Sequence, residues 1–181
     1  MKIHKAPIAG CFLFVPESYR DNRGEFMETY NHREFLAILG EPLHFVQDNQ
    51  SISKKFVLRG LHYQTGAHAQ AKLARVISGR VLDVVVDIRK DSPTFGEYFS
   101  TELSARNRKT IFIPKGLAHG FLALEDNTIF SYKCDAFYNP ESERGIIYND
   151  PDLKIDWQIE EEKMILSEKD LALPRFNEEI L

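Results

Sequence analysis

Two neighbouring stretches of the chain place polar side chains inside a pattern that is otherwise typical of β-strands. Gln47-Asp48-Asn49-Gln50-Ser51 is followed shortly by Val57-Leu58-Arg59-Gly60-Leu61-His62-Tyr63-Gln64. Polar residues within such apolar strands indicate a surface shaped around a ligand. His62 is the candidate general base, because imidazole titrates near neutral pH.

A histidine base works best when a carboxylate orients its other ring nitrogen and stabilises its charged form. Asp83, Asp87 and Asp170 are the available carboxylates, and the sequence does not choose among them. A strand histidine taken alone is more often structural, so the prediction for His62 depends on its companions.

Three further residues supply those companions. Lys72, on the next predicted strand, is either a solvent-facing lysine or a fixed positive charge beside a developing oxyanion. Tyr132 and Tyr138 have the same parity on a later predicted strand, which favours one side for both. Strand tyrosines are common in cores, but a phenol with a fixed partner can also deliver a proton. Together these residue types predict proton transfer.

Arg59 and Arg23 are the candidate anion clamps, since a guanidinium holds phosphate oxygens in a bidentate fork. Arg59 and His62 have opposite parity, so a regular strand would send them to opposite faces. Gly60 between them predicts a bulge that lets both reach one cavity.

A metal site is the alternative reading of these strands. Gln64, not a second histidine, follows His62 by two residues, and Lys72 would repel a cation. His68 and His119 remain as possible ligands, but no convergent set of histidines and carboxylates can be assembled. We therefore expect no metal.

Composition restricts the class of protein. A chain of 181 residues is long enough for one domain with a hydrophobic core, and 43% hydrophobic with 28% charged residues is ordinary for a soluble protein. The net charge of −4 argues against nucleic-acid binding. No apolar run suggests a signal peptide or a membrane span. Cys11 and Cys134 lack motif spacing, which favours free thiols in a cytoplasmic protein over one disulfide.

Short β-runs separated by Gly, Pro, Asn and Asp turns dominate the pattern, which favours an antiparallel sandwich or barrel. One helix is predicted at His32–Leu39, with Asn31 as N-cap and Gly40 as its stop. Ser78-Gly79 is read as a tight hairpin turn. The predicted strands are 11–15, 25–30, 45–52, 57–63, 72–77, 80–88, 98–103, 110–113, 120–124 and 129–137.

The strand at 80–88 alternates, with Leu82, Val84 and Val86 on one face and the two aspartates Asp83 and Asp87 on the other. Those aspartates either line a polar cavity or face solvent. Near the C-terminus, Ser167-Glu168-Lys169-Asp170 predicts a capped helical turn ending at Pro174. We expect this tail to be a flap packed on the β-domain.

At these residues the sequence resembles the dTDP-4-dehydrorhamnose 3,5-epimerase family over nearly its whole length. The most specific matches are Gln47-Asp48-Asn49, Val57 to Gln64, Asp87 to Gly96, and Pro114 to Phe121. Two small departures are Leu117, where Phe is frequent, and Tyr63, where Tyr or Phe is familiar. Neither removes a reacting group.

The resemblance implies an all-β, cupin-type jelly roll (double-stranded β-helix) with a few short helices, over a single domain of residues 1–181. It also implies an N-terminal strand arm, a C-terminal flap and a homodimer with strand exchange, so that Arg23 and Glu28 serve the partner's site. No metal or other cofactor is expected. The implied substrate is dTDP-4-dehydro-6-deoxy-D-glucose, whose phosphates would be held by Arg23 and Arg59.

By the same resemblance His62 is the base, Tyr132 the proton donor and Lys72 the enolate stabiliser. Asp170 would pair with His62, and Tyr138 would stack on thymine. The alternatives are a mono-epimerase that inverts only C3 or C5, and a protein that only binds nucleotide sugars. The remaining implied substrate contacts are Phe26, Glu28, Gln47, Asn49, His119, Glu143 and Lys169.

Overall fold

Antiparallel β-strands form most of the regular structure in this computed structural model. It describes residues 1–40 and 43–180; Glu41, Pro42 and Leu181, which the expected domain includes, lie outside the described residues. The strands are β1 (Lys2–Lys5), β2 (Phe12–Val15), β3 (Ser18–Asp21), β4 (Gly24–Met27), β5 (Gln47–Ser53), β6 (Leu58–Gln64), β7 (Lys72–Ser78), β8 (Arg80–Asp87), β9 (Tyr98–Ser104), β10 (Thr110–Ile113), β11 (Leu117–Ala123), β12 (Thr128–Cys134) and β13 (Glu143–Gly145).

The strands form two main sheets and one separate hairpin. Sheet one has the order β1-β2-β10-β7-β12-β5, and sheet two has the order β13-β6-β11-β8-β9. From β5 to β8 each successive strand belongs to the other sheet, as in a jelly roll. The third sheet is the hairpin β3-β4. The all-β prediction is confirmed.

The helices are short. α1 (His32–Leu39) begins and ends as predicted: Asn31 caps it by accepting from the backbone N–H of Arg33, and Gly40 stops it at φ +75°. The buried ring of Phe35 packs 4.6 Å from that of Phe14, which holds α1 on sheet one. The other helices are α2 (Glu168–Leu171) and α3 (Phe176–Ile180).

Apolar clusters cover both faces of sheet two. Between the sheets, the rings of Phe121 and Phe130 stack at 4.2 Å, surrounded by Val81, Val85 and other buried residues. On the other face, Leu82, Val84 and Val86 pack with the C-terminal part of the chain. This double coverage explains why β8 is buried on both faces despite its alternating pattern.

Three sequence readings of β-structure are wrong, the first being the strand predicted at 25–30, which ends at Met27. Ser78-Gly79 is a tight turn, with Gly79 at φ +78°, but β7 and β8 lie in different sheets, so the turn is a corner and not a hairpin. The strand predicted to reach 137 ends at Cys134, so strand parity does not orient Tyr138. A regular strand stops there because the chain bends at residues 135 and 136.

The predicted bulge at Gly60 is confirmed. His62 pairs with His119 and Arg59 with Phe121, so three steps along β6 match two along β11. Gly60 has φ +132°, and a Cβ there would lie 2.5 Å from the Cα of Gly120 and 2.9 Å from the carbonyl oxygen of His119. Only glycine fits this position.

Gly60→Ala is therefore expected to lower the free energy of unfolding by about 1–3 kcal/mol more than Gly24→Ala does. Gly24 is a matched control, since its φ is +130° but a Cβ there would meet nothing within 4 Å. Urea unfolding of both variants measures the difference. Equal losses would show that the approach to Gly120 does not constrain the fold.

Candidate active site

A cavity of about 420 Å³ opens at one end of the two sheets, within the range that holds small ligands. Strands of both sheets line it, together with the segment that contains α2. The sequence-predicted residues that line it are Asn49, Arg59, His62, Lys72, His119, Tyr132, Tyr138, Glu143, Lys169 and Asp170.

His62 and Asp170 form the ion-pair-like contact at the centre of this cavity. Nε2 of His62 lies 2.6 Å from Oδ1 of Asp170, whose side chain is only 6% exposed. Ser167 places Asp170 by capping α2, since its Oγ accepts from the Asp170 backbone N–H at 3.1 Å. With Nε2–H donating to the carboxylate, Nδ1 of His62 is the nitrogen left to take a proton.

The pKa of Asp170 reflects this contact. Burial disfavours the carboxylate, but the hydrogen bond and charge of His62 together with hydrogen bonds from Gly60 and Ser167 outweigh it, so the pKa of Asp170 lies below its usual range. Asp170 therefore remains ionised at the neutral pH at which His62 would act as a base.

The other two candidate carboxylates have different partners. Asp83 lies 2.8 Å from Nε2 of His119, and both residues are buried. Asp87 bonds Arg89, Ser92 and others, which hold its pKa at about 2 against the opposing effect of burial. Of the three carboxylates left open by the sequence, only Asp170 contacts His62, and neither Asp83 nor Asp87 faces solvent.

Lys72 and Tyr132 occupy the wall of the cavity that sheet one provides. The Lys72 ammonium lies 6.0 Å from the centroid of the Tyr132 ring. Burial lowers the pKa of Lys72, and no carboxylate among residues 1–40 and 43–180 forms a salt bridge with it. Burial raises the pKa of Tyr132, so its phenol keeps its proton at neutral pH.

Three charged or polar residues of the cavity lining meet around Glu143. Glu143 accepts a hydrogen bond from the Tyr138 hydroxyl at 2.7 Å and one from the Lys169 ammonium at 2.5 Å. Burial opposes the ionisation of Glu143, but these two partners lower its pKa below the usual range. Arg59, at the rim, donates from Nε to Oγ of Ser53 at 3.2 Å.

Arg23, Phe26 and Glu28 do not line the cavity. The first two lie on the β3-β4 hairpin, where the Arg23 side chain is 85% exposed and bonds Asp21, and Phe26 is 70% exposed. Glu28 accepts a hydrogen bond from Asn31. Gln47 also lies off the cavity surface, but its amide bonds the Asn49 side chain that does line it.

Sequence reasoning did not single out several cavity residues. Ser51 presents a buried hydroxyl without a partner in the described part of the chain, and Gln70 and Ser167 contribute polar groups. Along β5 partly buried polar residues alternate with exposed ones, and this alternation was the sequence signal that could have pointed to Ser51. In residues 1–40 and 43–180, no group of three or more His, Cys, Asp and Glu side chains could hold a metal.

Comparison with known proteins now identifies this arrangement. The family model described as dTDP-4-dehydrorhamnose 3,5-epimerase matches residues 5–178. The chain belongs to this family. A dTDP-4-dehydrorhamnose 3,5-epimerase of Methanothermobacter thermautotrophicus is 50% identical over 92% of this chain and 89% of its own length.

Two solved structures of the family share the fold, which is the cupin-type jelly roll. The crystal structure of the 3,5-epimerase from Elizabethkingia anophelis superposes with a TM-score of 0.96 at 50% identity, covering 100% of this chain and 99% of that chain. The second structure is a dTDP-6-deoxy-D-glucose-3,5-epimerase from Legionella pneumophila in complex with dTDP-4-keto-L-rhamnose. It superposes with a TM-score of 0.93 at 45% identity, covering 97% of this chain and 93% of that chain.

Asp170→Asn is expected to destabilise the protein at pH 7 by about 1–2 kcal/mol, because the buried charge-assisted hydrogen bond becomes a neutral one. The folded pKa of Asp170 lies below its unfolded value. Its stabilising contribution is therefore complete above the unfolded pKa of about 4 and is lost as pH falls through the folded pKa.

Urea unfolding of wild type and Asp170→Asn at pH 7, and at points below about pH 4, measures this effect. The difference in free energy should shrink on acidification. A difference independent of pH would contradict the ion-pair assignment.

Proposed function

We propose that the protein inverts C3 and C5 of dTDP-4-dehydro-6-deoxy-D-glucose to give dTDP-4-dehydro-L-rhamnose. The observation that carries this proposal is the His62–Asp170 pair in a cavity whose facing wall holds Lys72 and Tyr132. The Legionella relative, similar over nearly the whole chain, binds dTDP-4-keto-L-rhamnose.

Proton abstraction is the first step. The C4 ketone acidifies the hydrogens on C3 and C5, so Nδ1 of His62 takes one of them as a proton and leaves an enolate. Asp170 stabilises the imidazolium that forms. The Lys72 ammonium stabilises the charge on the enolate oxygen, which a preorganised cation does best where water is excluded.

Reprotonation comes from the other side of the sugar ring. His62 belongs to β6 of sheet two and Tyr132 to β12 of sheet one, so the two groups lie on facing walls of the cavity. The protonated phenol of Tyr132 delivers a proton to the face opposite His62, and the carbon is inverted. Exchange with solvent then removes the proton from His62 and returns one to the Tyr132 phenolate, and a second round at the other carbon completes the reaction.

The remaining cavity residues fit the nucleotide. Arg59 supplies a guanidinium for the diphosphate, and the exposed ring of Tyr138 offers a stacking surface for thymine. Asn49, Gln47, His119, Glu143 and Lys169 are proposed substrate contacts. The enzyme needs no cofactor in this scheme, since base, acid and oxyanion stabiliser are all side chains.

Proton exchange in D₂O tests the reaction. With dTDP-4-dehydro-6-deoxy-D-glucose and wild-type protein, NMR should show deuterium at both C3 and C5, and a coupled reductase should consume the rhamno product. His62→Ala should lose exchange at both carbons by at least about 10²-fold, because the general base is removed.

Exchange at one carbon only would show the mono-epimerase, and wild-type protein without exchange would overturn the proposed reaction. A His62→Ala variant with full turnover would move the base to another residue.

We further propose a homodimer in which the β3-β4 hairpin carries Arg23, Phe26 and Glu28 to the partner's cavity. The support is the exposure of the hairpin: Tyr19 and Phe26 pair across it, at 61% and 70% exposure, and neither ring belongs to an apolar cluster of residues 1–40 and 43–180. Exposed aromatic pairs of this kind are typical of interaction surfaces.

No helix in the described residues is long and apolar enough to cross a membrane.

Complementation tests the exchange. Arg23→Ala and His62→Ala subunits, each with its own affinity tag, are co-expressed and the mixed dimer is purified. If Arg23 acts on the partner's cavity, one site carries both changes and the other carries neither, so about half of wild-type activity returns. If Arg23 acts on its own chain, each site carries one change and the mixed dimer stays as inactive as its parents.

A further inference from the structure

Residues 136–139, of which Tyr138 lines the cavity, form no sheet hydrogen bonds. β12 ends at Cys134, and the next regular turn begins at Pro140. Burial does not anchor the segment either, because the side chains of Phe137 and Tyr138 are 68% and 52% exposed. The Tyr138 hydroxyl bonds Glu143 and the Asn139 amide bonds His68, and the rest of the segment is held through its backbone.

Three glutamine side chains supply the backbone partners. Gln70 donates from Nε2 to the carbonyl of Ala136 at 2.9 Å, and the backbone N–H of Tyr138 donates to Oε1 of Gln47 at 2.9 Å. Gln64, only 6% exposed, donates to the carbonyls of Phe137 at 3.3 Å and of His68 at 2.7 Å, and it accepts from the backbone N–H of Asn139 at 2.7 Å. Four consecutive residues are thus held by side-chain amides.

The glutamines come from chain segments that line the cavity. Gln47 is on β5 with Asn49, Gln64 is on β6 two residues after His62, and Gln70 comes two residues before Lys72. Each amide therefore ties the segment to a rigid part of the site. Since a side-chain amide both donates and accepts, glutamine can bond N–H and C=O groups at once.

We propose that Gln47, Gln64 and Gln70 form a clasp that positions the Tyr138 ring as a wall of the nucleotide subsite. Gln64 and Gln70 are positioning residues that act on nucleotide binding and not on proton transfer. This inference rests on the proposed function for the identity of the ligand, a thymidine diphosphate. Loss of the clasp leaves His62, Lys72 and Tyr132 in place.

Binding and turnover of Gln64→Met and Gln70→Met test the clasp. Methionine keeps the length of the side chain but removes its amide. Each variant should raise the Kd for dTDP, by calorimetry, and the KM for the sugar nucleotide by about tenfold, as expected for the one or two hydrogen bonds that it loses to residues 136–139. The kcat should stay within about threefold of wild type, since the reacting groups are untouched. Gln158→Met, at an exposed site outside the cavity lining, should change none of these values.

A double-mutant cycle with Tyr138→Ala separates positioning from direct contact. In the Tyr138→Ala background, Gln64→Met should add little to the Kd, because both changes remove the same interaction. Additive effects, a kcat loss at unchanged KM, or unchanged binding in the single variants would overturn the clasp. If Gln64→Met does not fold, Gln70→Met at the half-buried Gln70 provides the same test in the Tyr138→Ala background.

The outcome for the clasp is distinct from that for the reaction. Wild-type protein that binds dTDP but exchanges no deuterium, with weaker binding in the variants, would uphold the clasp and overturn the epimerase reaction. Normal deuterium exchange by the wild type, with unchanged dTDP binding in the variants, would uphold the epimerase reaction and overturn the clasp. Absence of dTDP binding to wild type would overturn the clasp.

Discussion

The approach of Gly60 to Gly120 is the constraint on which the site depends. A Cβ on Gly60 would lie 2.5 Å from the Cα of Gly120, and one on Gly120 would lie 2.9 Å from the carbonyl oxygen of Arg59. Two glycines therefore let β6 and β11 meet closely at the bulge. The extra residue on β6 changes the side-chain parity, so that Arg59 and His62 both reach the cavity.

The facing sheets give the cavity two chemically different walls. Sheet two carries the imidazoles of His62 and His119, each beside a buried carboxylate. Sheet one carries Lys72 and Tyr132, an ammonium and a protonated phenol. A planar enolate held between such walls has its base and its acid on opposite faces, which is the geometric requirement for inversion.

The C-terminal part of the chain completes the site that the sheets begin. Asp170 and His62 are 108 residues apart in sequence, and the N-cap at Ser167 sets the carboxylate where α2 meets β6. Trp157 and Phe176 bury this part of the chain against the outer face of sheet two. Packing far from the cavity therefore maintains the orientation of His62.

The sequence by itself determined much of this protein. Alternating apolar residues predict the strands, Asn31 and Gly40 predict the ends of α1, and Gly60 between two residues of opposite parity predicts the bulge. These features are local: periodicity, capping and backbone freedom depend on neighbours in the chain. The motifs from Gln47 to Gly120 were sufficient to indicate the family.

Only the tertiary structure decided how distant residues meet. It paired Asp170 with His62 and Asp83 with His119, because packing between sheets and tail, not sequence distance, brings a carboxylate to an imidazole. It made Ser78-Gly79 a corner, since a tight turn has the same sequence signal whether its strands pair or separate. It also joined three scattered glutamines to one irregular segment, because their partners are backbone groups that leave no trace in residue type.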